Sequence, residues 1–325
     1  MKTTAKSPSN IAFIKYWGKK SEVLRLPANG SISMNLSNLW TTTTVEFDRK
    51  RKKDEVSIDG LADKKEIYRV IVHLNRIRKL AKITDKAKVV SKNNFPSSVG
   101  LSSSASGFAA LTVAATKASG LDLSEKELSI LARQGSGSAC RSIPDGFVEW
   151  LDGNTSNSSY AVSLFLSDYW EIVDIVAIVS GEKKEVSTSE GQKLVKSSPF
   201  YGLRQKRIKD KIKLLKKYLR EKRFKNFGEL TESEALEVHA IMLTSNPSLI
   251  YWTAGTLELM KLVKKWRAGG LQVYFTINTG QEMHLFCQKK DINRVVGKLK
   301  ELTFVKDHII NFPAKGAEIC NTHLF

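Results

Sequence analysis

The stretch "AKVVSKNNFPSSVGLSSSASGFAALTVAATKAS", residues 87–119, constrains the fold of this chain more than any other. "AKVVSKNNFP" reads as a strand and "SGFAALTVAATKAS" as an Ala-rich helix, with a loop of serines and glycine between them. A strand, a Ser/Gly loop and a helix in immediate succession belong to an α/β protein. The loop lacks the Gly-Lys-Ser/Thr ending of the usual nucleotide loop, so no lysine reaches terminal phosphates from it. Gly100 lets the backbone approach a ligand closely, and Ser102, Ser103 and Ser104 supply hydroxyls. The following helix points its unpaired N–H groups and positive dipole end at the same spot, which suits an anion. The same serines would also serve as helix caps, and this stretch alone leaves both readings open.

At 325 residues the chain fits two domains or one large α/β unit, either of which can enclose a cleft. No apolar run reaches the roughly 18 residues needed to cross a bilayer, and "MKTTAKSPSNIAFIK" lacks the apolar core of a signal peptide, so a cytoplasmic location without membrane association is expected. Cys140, Cys287 and Cys320 are too few and too far apart for a zinc site or a disulfide framework; they read as mostly buried thiols, with no metal held by the protein.

The net charge of +19 raises the question of nucleic acid. The cations concentrate in "RQKRIKDKIKLLKKYLREKRFK", residues 204–225, where Ile208, Ile212, Leu215 and Leu219 recur at helical spacing. They therefore occupy the solvated faces of an amphipathic helix, and no nucleic-acid motif accompanies them, so no nucleic-acid partner is expected. The same surplus attracts small polyanions, and a Lys-rich, proline-poor surface also occurs in proteins from hot environments.

Along the chain, "IAFIKYWG", "SISMNL" and "TTTTVEF" read as strands, "DRKRKKDE" as an exposed turn and residues 62–84 as the first long helix. "SEKELSILARQGS" is a helix with a serine cap, and strands return at "GFVEWLDG" and "EIVDIVAIVS". Residues 190–266 are mainly helical, and "LQVYFTINTG" and "MHLFCQ" form a late strand pair. The boundary between an N-terminal lobe, 1–180, and a C-terminal lobe, 181–325, is only weakly marked.

Two further stretches bear on chemistry. In "SPSNIAFIKYWGKK", Lys15, Tyr16, Lys19 and Lys20 cluster around a glycine at a strand end, as suits a phosphorylated ligand, although a solvated strand end with Trp17 buried would look the same. In "RQGSGSACRSIPDGFVEW", Ser136 and Ser138 flank Gly137 and Arg141 follows, a combination that can grip a carboxylate or phosphate or simply end a helix.

Taken together, "NIAFIKYWGKK", "LPANGSISMNL", "FPSSVGLSSSASGFAAL" and "RQGSGSACRSIPDGFVEW", in this order and spacing, resemble the diphosphomevalonate decarboxylase family of the GHMP kinase superfamily. The resemblance covers nearly the whole chain. "KYWGK" and "GSGSACRS" are specific to the decarboxylases, whereas "GLSSSAS" is shared with small-molecule kinases of the superfamily.

The resemblance implies an α/β (α+β) GHMP kinase fold of two lobes with the active-site cleft between them, ATP with Mg²⁺ as co-substrate, and a homodimer. Enzymes of the family phosphorylate the 3-hydroxyl of mevalonate 5-diphosphate, or of the 5-phosphate in a sister group, and loss of that phosphate with CO₂ leaves an alkene. Carried over by position, Lys15 matches a catalytic lysine and Arg141 the arginine for the substrate carboxylate. Tyr16, Lys19, Ser136 and Ser138 match contacts to the 5-phosphates; Arg69 adds to them, and Thr188 in "EVSTSEGQ" stands near the phosphates. Gly100, Leu101, Ser102, Ser103 and Ser104 match the ATP loop.

One departure stands out. In "VYFTINTGQEMH" this chain has Asn278 where the family carries its catalytic aspartate, and asparagine can neither accept a proton nor carry negative charge. An engineered substitution, a natural variant with changed chemistry and a misaligned strand all account for it. The gap-free fit of Asn278-Thr279-Gly280 speaks against misalignment, and the otherwise intact site favours engineering, which would leave the chain impaired. Besides the ATP-dependent decarboxylase, a 3-kinase that does not decarboxylate and an inactive isoprenoid-phosphate binding protein remain as readings.

Overall fold

The computed structural model describes residues 1–60, 63–95, 101–180 and 185–325. Strand β1 (Lys2–Ile14) runs antiparallel to the long β4 (Ser31–Asp48), and between them the chain makes a small ribbon of β2 (Lys19–Ser21) and β3 (Leu26–Pro27). The β-branched run "TTTTV" suits β4 to a pleated, largely buried surface. After β5 (Glu55–Ile58), α1 (Lys64–Ala81) buries Val70, His73, Leu74 and Ile77, one face at helical spacing, and starts on Asp63, whose carboxylate accepts from the Lys65 N–H. Strand β6 (Lys86–Asn93) leads to α2 (Ser103–Ala118), which is buried nearly all round because its alanines let it lie close against β1 and β4. Helix α3 (Glu125–Gly135) opens with a reciprocal Ser124–Glu127 capping box, followed by a 3₁₀ turn (Gly137–Ser142) and by β7 (Phe147–Trp150) and β8 (Ala161–Phe165).

The chain then changes sheet. Strand β9 (Ile172–Ile178) begins a second, antiparallel sheet, and after the short α4 (Thr188–Gly191) come the long helices α5 (Tyr201–Arg220), α6 (Phe224–Leu243) and α7 (Ala254–Ala268). Strands β10 (Val273–Thr276) and β11 (Met283–Gln288) follow, then α8 (Ile292–Lys300), β12 (Asp307–Asn311) and β13 (Glu318–Cys320). The first sheet is ordered β13-β1-β4-β6-β5, with β7 on the early half of β4 and β8 beyond it; the second is β10-β11-β9-β12. An aromatic cluster joins the two sheets: Phe13 of β1 stands edge-on to Phe227 of α6 and Phe286 of β11, at centroid distances of 4.8 and 5.3 Å.

The α/β class and the helices and strands named from the sequence are present, with "SISMNL" and "TTTTVEF" fused into one strand. Strands β2, β3, β5, β8, β12 and β13 and helix α8 are additions that the sequence reading lacked. The amphipathic pattern at 204–225 forms α5, where Ile208, Leu215 and Leu219 are buried and most lysines are exposed, but Arg204 is buried and Lys211 turns inward to Glu234, so the cations are not all on solvated faces. Cys140 and Cys287 are buried and all three cysteines are unpaired; burial pushes the Cys140 thiol up to about 12, which makes it unreactive. Among the described residues, no helix is long and apolar enough to cross a membrane.

Candidate active site

Where β1 ends, the chain must stop pairing with β4, and Lys15 is the first residue past the strand. Its backbone is clamped on both sides: the N–H donates to Glu234 Oε1 at 3.1 Å, and the carbonyl accepts from Arg204 Nη2 and Asn29 Nδ2, each at 2.9 Å. Glu234, from α6, is wholly buried and also bonded by Arg204 and by Lys211 of α5; burial works against its charge, but those two cations hold its carboxyl below the usual range. With the backbone fixed, the Lys15 side chain enters a cleft of about 470 Å³, and Nζ donates to Asn278 Oδ1 at 2.9 Å. Burial pulls the Lys15 ammonium down to about 7, opposed by Glu234 and reinforced by Arg141.

Asn278 sits in the turn after β10. Its Nδ2 donates to Ser102 Oγ at 3.3 Å, and its carbonyl accepts from His239 Nε2 at 3.0 Å. Burial holds that imidazole neutral, and it stacks on Trp252, so the turn is braced from α6. The contact with Lys15 places Asn278 in the cleft and speaks against a misaligned strand.

Arg141, in the 3₁₀ turn, is 4% exposed, and its guanidinium is held by three neutral acceptors. Nε donates to Ser33 Oγ at 3.0 Å, Nη1 to Ser31 Oγ at 2.8 Å and Nη2 to Asn10 Oδ1 at 3.0 Å. Ser31 and Ser33 share one face of β4 because strand side chains alternate, and Asn10 follows an irregularity in the β1–β4 register. Among the described residues no carboxylate pairs with Arg141, although it lines the cleft. A buried guanidinium without a counter-charge calls for an anion.

Tyr16, Lys19, Arg69, Ser136 and Ser138 all line the same cleft. Tyr16 stands edge-on to Trp150, and burial raises its phenol, keeping it a hydrogen-bond donor. Gly137 is required between the two serines, because a Cβ there would come within 2.8 Å of the Tyr16 ring. Lys19 Nζ is bonded to Glu22 at 2.7 Å, and Arg69 lies 4.7 Å over the Phe108 ring. Lys20 does not join them; it reaches Asp152 and the loop after β7. Thr188, at the start of α4, also faces the cleft and shares a 2.5 Å hydroxyl contact with Thr279, tying α4 to the Asn278 turn.

The Ser loop forms another wall. Ser102 is the residue before α2, yet its side chain makes no capping bond; it adopts a left-handed backbone (φ +62°) and meets Asn278 instead. Ser103 and Ser104 line the cleft and, with Phe108 and Leu111, an adjoining hollow of about 70 Å³. The capping explanation of these serines therefore fails for Ser102. Leu101 points away into the core, offering only backbone, and its carbonyl accepts from Ser9 Oγ at 2.6 Å. Gly100 lies outside the described residues.

The sequence reading missed Arg25, Lys65 and Gln192, which also face the cleft, and the Glu234–Arg204–Lys211 cluster behind Lys15. Arg25 lies on the β2–β3 turn at φ +48°, close enough to Arg69 and Arg76 for its charge to pull both guanidinium groups down, after burial. Its only signal was proximity to "KYWGKK". Asn10, Ser31 and Ser33 were inside the quoted motifs, and the period of two in "SIS" could have grouped the serines.

Residues 7–161 match the diphosphomevalonate decarboxylase-like N-terminal domain, and residues 174–322 the mevalonate 5-diphosphate decarboxylase C-terminal domain. The diphosphomevalonate decarboxylase of Debaryomyces hansenii is 34% identical over 316 residues, 91% of this chain and 81% of that protein. The mevalonate diphosphate decarboxylase from Enterococcus faecalis, solved in a study of its mevalonate diphosphate mediated ATP binding, superposes at a TM-score of 0.93 with 35% identity and 99% of both chains covered. A structure of MDDEF in complex with MVAPP, AMPPCP and magnesium gives 0.94, 36% and 99% of both. The fold is thus of the GHMP type, and the chain belongs to the diphosphomevalonate decarboxylase family.

Proposed function

We propose that this chain catalyses the ATP-dependent decarboxylation of mevalonate 5-diphosphate to isopentenyl diphosphate, with Mg²⁺ entering as the ATP complex. The observation that carries this reading is the uncompensated Arg141 guanidinium beside Lys15 and Asn278, between a cationic end and a serine wall of one cleft. In this reading Arg141 holds the carboxylate that departs, its three neutral acceptors fixing the guanidinium plane. Tyr16, Lys19, Arg69, Ser136 and Ser138, with Arg25 and Lys65, receive the 5-diphosphate. The number of cations suits two phosphates better than one. Gly100 and Ser102 to Ser104 hold the ATP phosphates with backbone amides and hydroxyls, Leu101 adding its backbone, and Thr188, which lines the same cleft, adds a hydroxyl on the substrate side.

Phosphorylation turns a poor leaving group, tertiary hydroxide, into a good one. Departure of phosphate then leaves positive character at C3, which draws electrons from the bond to the carboxylate. The residues around the cleft contribute positioning and charge rather than covalent chemistry. The two lobes of this reading are 1–180 and 181–325, a division that the separate sheet of β9 to β12 supports in kind, although β9 itself lies before residue 181. A cytoplasmic enzyme fits the three unpaired thiols, and a homodimer completes the reading.

The test is to follow ADP and CO₂ in one reaction with mevalonate 5-diphosphate and, separately, the 5-phosphate. Equal release of both products with the diphosphate is expected. ADP without CO₂ would make the protein a 3-kinase, and binding without either product would make it a binding protein.

A further inference from the structure

The Asn278 amide is used at both ends: Oδ1 accepts from Lys15 and Nδ2 donates to Ser102. An amide offers no basic oxygen to a proton. Among the described residues, none of the carboxylates hydrogen-bonds Lys15 Nζ or Asn278. Glu234 is occupied by Arg204, Lys211 and the Lys15 N–H; Asp174 is paired with His284 and Asn311; neither lines the cleft. The described carboxylates that do line it, Asp63 and Glu66, belong to the start of α1, where Asp63 is spent as the cap. His239 commits its Nε2 to the Asn278 carbonyl.

We propose that Lys15 is the base that takes the proton from the substrate's tertiary hydroxyl, Asn278 serving to orient it. Lys15 Nζ donates to Asn278 Oδ1, and this contact holds the nitrogen at the cleft wall beside Arg141. The charged groups around it are Glu234 and His239 from α6, Arg204 from α5, Arg141 from the 3₁₀ turn and Asp174 from β9. Burial, Arg141 and Arg204 favour the amine, whereas Glu234 and Asp174 favour the ammonium, and the balance near 7 leaves much of it neutral at physiological pH.

The step rests on the decarboxylase reading. The hydroxyl proton passes to Lys15 Nζ, giving the ammonium. The oxygen lone pair forms the bond to the γ-phosphorus of ATP, and the bond from that phosphorus to its bridging oxygen breaks, releasing ADP. The ammonium then lies beside the new 3-phosphate, whose departure takes the C–O electron pair; the carboxylate bond breaks, CO₂ leaves and its electron pair becomes the alkene. Lys15 returns its proton to solvent.

The proposal is tested by the pH dependence of kcat/KM together with Lys15→Arg and Asn278→Asp. For the unaltered chain, kcat/KM should fall tenfold per pH unit below about 7. In Asn278→Asp that limb should move to lower pH by more than one unit, since a carboxylate can accept the proton and also raises the lysine. Lys15→Arg keeps a cation that cannot accept a proton and should lose roughly 10²- to 10⁴-fold. Adding Asn278→Asp to it should restore at least part of that loss. Lys15→Arg within tenfold of the parent, or a limb unmoved in Asn278→Asp, overturns the proposal. An NMR titration of the lysine amines, assigned with Lys15→Met, decides the matter without turnover: a midpoint near 7 supports the proposal, and one above 9 overturns it. Absence of products with mevalonate diphosphate would instead strike the proposed function.

Discussion

Arg141 shows how much one residue's surroundings reveal. Its guanidinium is buried, satisfied by hydroxyl and amide oxygens, and without a counter-charge among the described residues, so its missing partner is a ligand. Arg141→Ala should lower kcat/KM by the equivalent of about 2 to 5 kcal/mol while a thermal melt changes little, because the variant removes a buried cation along with its bonds. Steady-state kinetics beside calorimetry check this; an activity within twofold of the parent would remove Arg141 from the site. The sequence made Arg141, Lys15 and the serines legible because they stand within short motifs of unusual density. It did not reveal Arg25, which lies outside any pattern and enters the cleft only because the β2–β3 ribbon folds back.

At the scale of elements, the start of α2 and the pair α5–α6 do different work. Ser102 holds a left-handed backbone before α2 while its hydroxyl meets Asn278. Ser102→Gly should leave stability within about 1 kcal/mol, since relief of left-handed strain and the larger unfolded-state freedom of glycine oppose each other. ATP affinity should nevertheless fall roughly 3- to 10-fold, the loss of one hydrogen bond; isothermal calorimetry measures it, and an unchanged affinity would return Ser102 to a purely structural part. Behind the site, Glu234 joins α6 to Arg204 and Lys211 of α5 and to the Lys15 backbone. Glu234→Gln leaves two cations short of a partner and should cost about 3 to 5 kcal/mol in chemical denaturation, with kcat falling as the Lys15 backbone loosens. Loss of less than 1 kcal/mol would mean that the cluster is screened by water. Sequence periodicity found α5, whose buried face repeats locally, and placed α6 only within a mainly helical region. It could not find the cluster, whose members are about 20 to 30 residues apart and meet only when the helices pack.

The whole molecule combines local and non-local order, and that division decides what could be read in advance. Strand β13 pairs with β1 across the length of the chain, and β9 pairs with β11 and β12 only after three long helices have intervened; neither pairing leaves a mark in a local pattern, whereas that of the adjacent β10 and β11 does. Charge poses the same question, because +19 spread over the surface and a cluster at one cleft would both attract a diphosphate. The geometry favours the cluster: Arg25, Lys65 and Arg69 face the cleft, whereas Lys213 and Lys217 lie on α5, outside its lining. Stopped-flow association of mevalonate diphosphate, followed by the fluorescence of Trp17 at the cleft wall, should slow by roughly 10-fold or more as salt rises and the screening length drops from about 10 Å at 0.1 M to about 3 Å at 1 M. Arg25→Ala should flatten that salt dependence. Reversing charge on α5 with Lys213→Glu and Lys217→Glu changes the net charge by four units and should leave the slope nearly as it was. If the α5 variant flattens the slope as much as Arg25→Ala does, the attraction belongs to the molecule's overall charge and the cleft cluster serves only to hold the substrate once it has arrived.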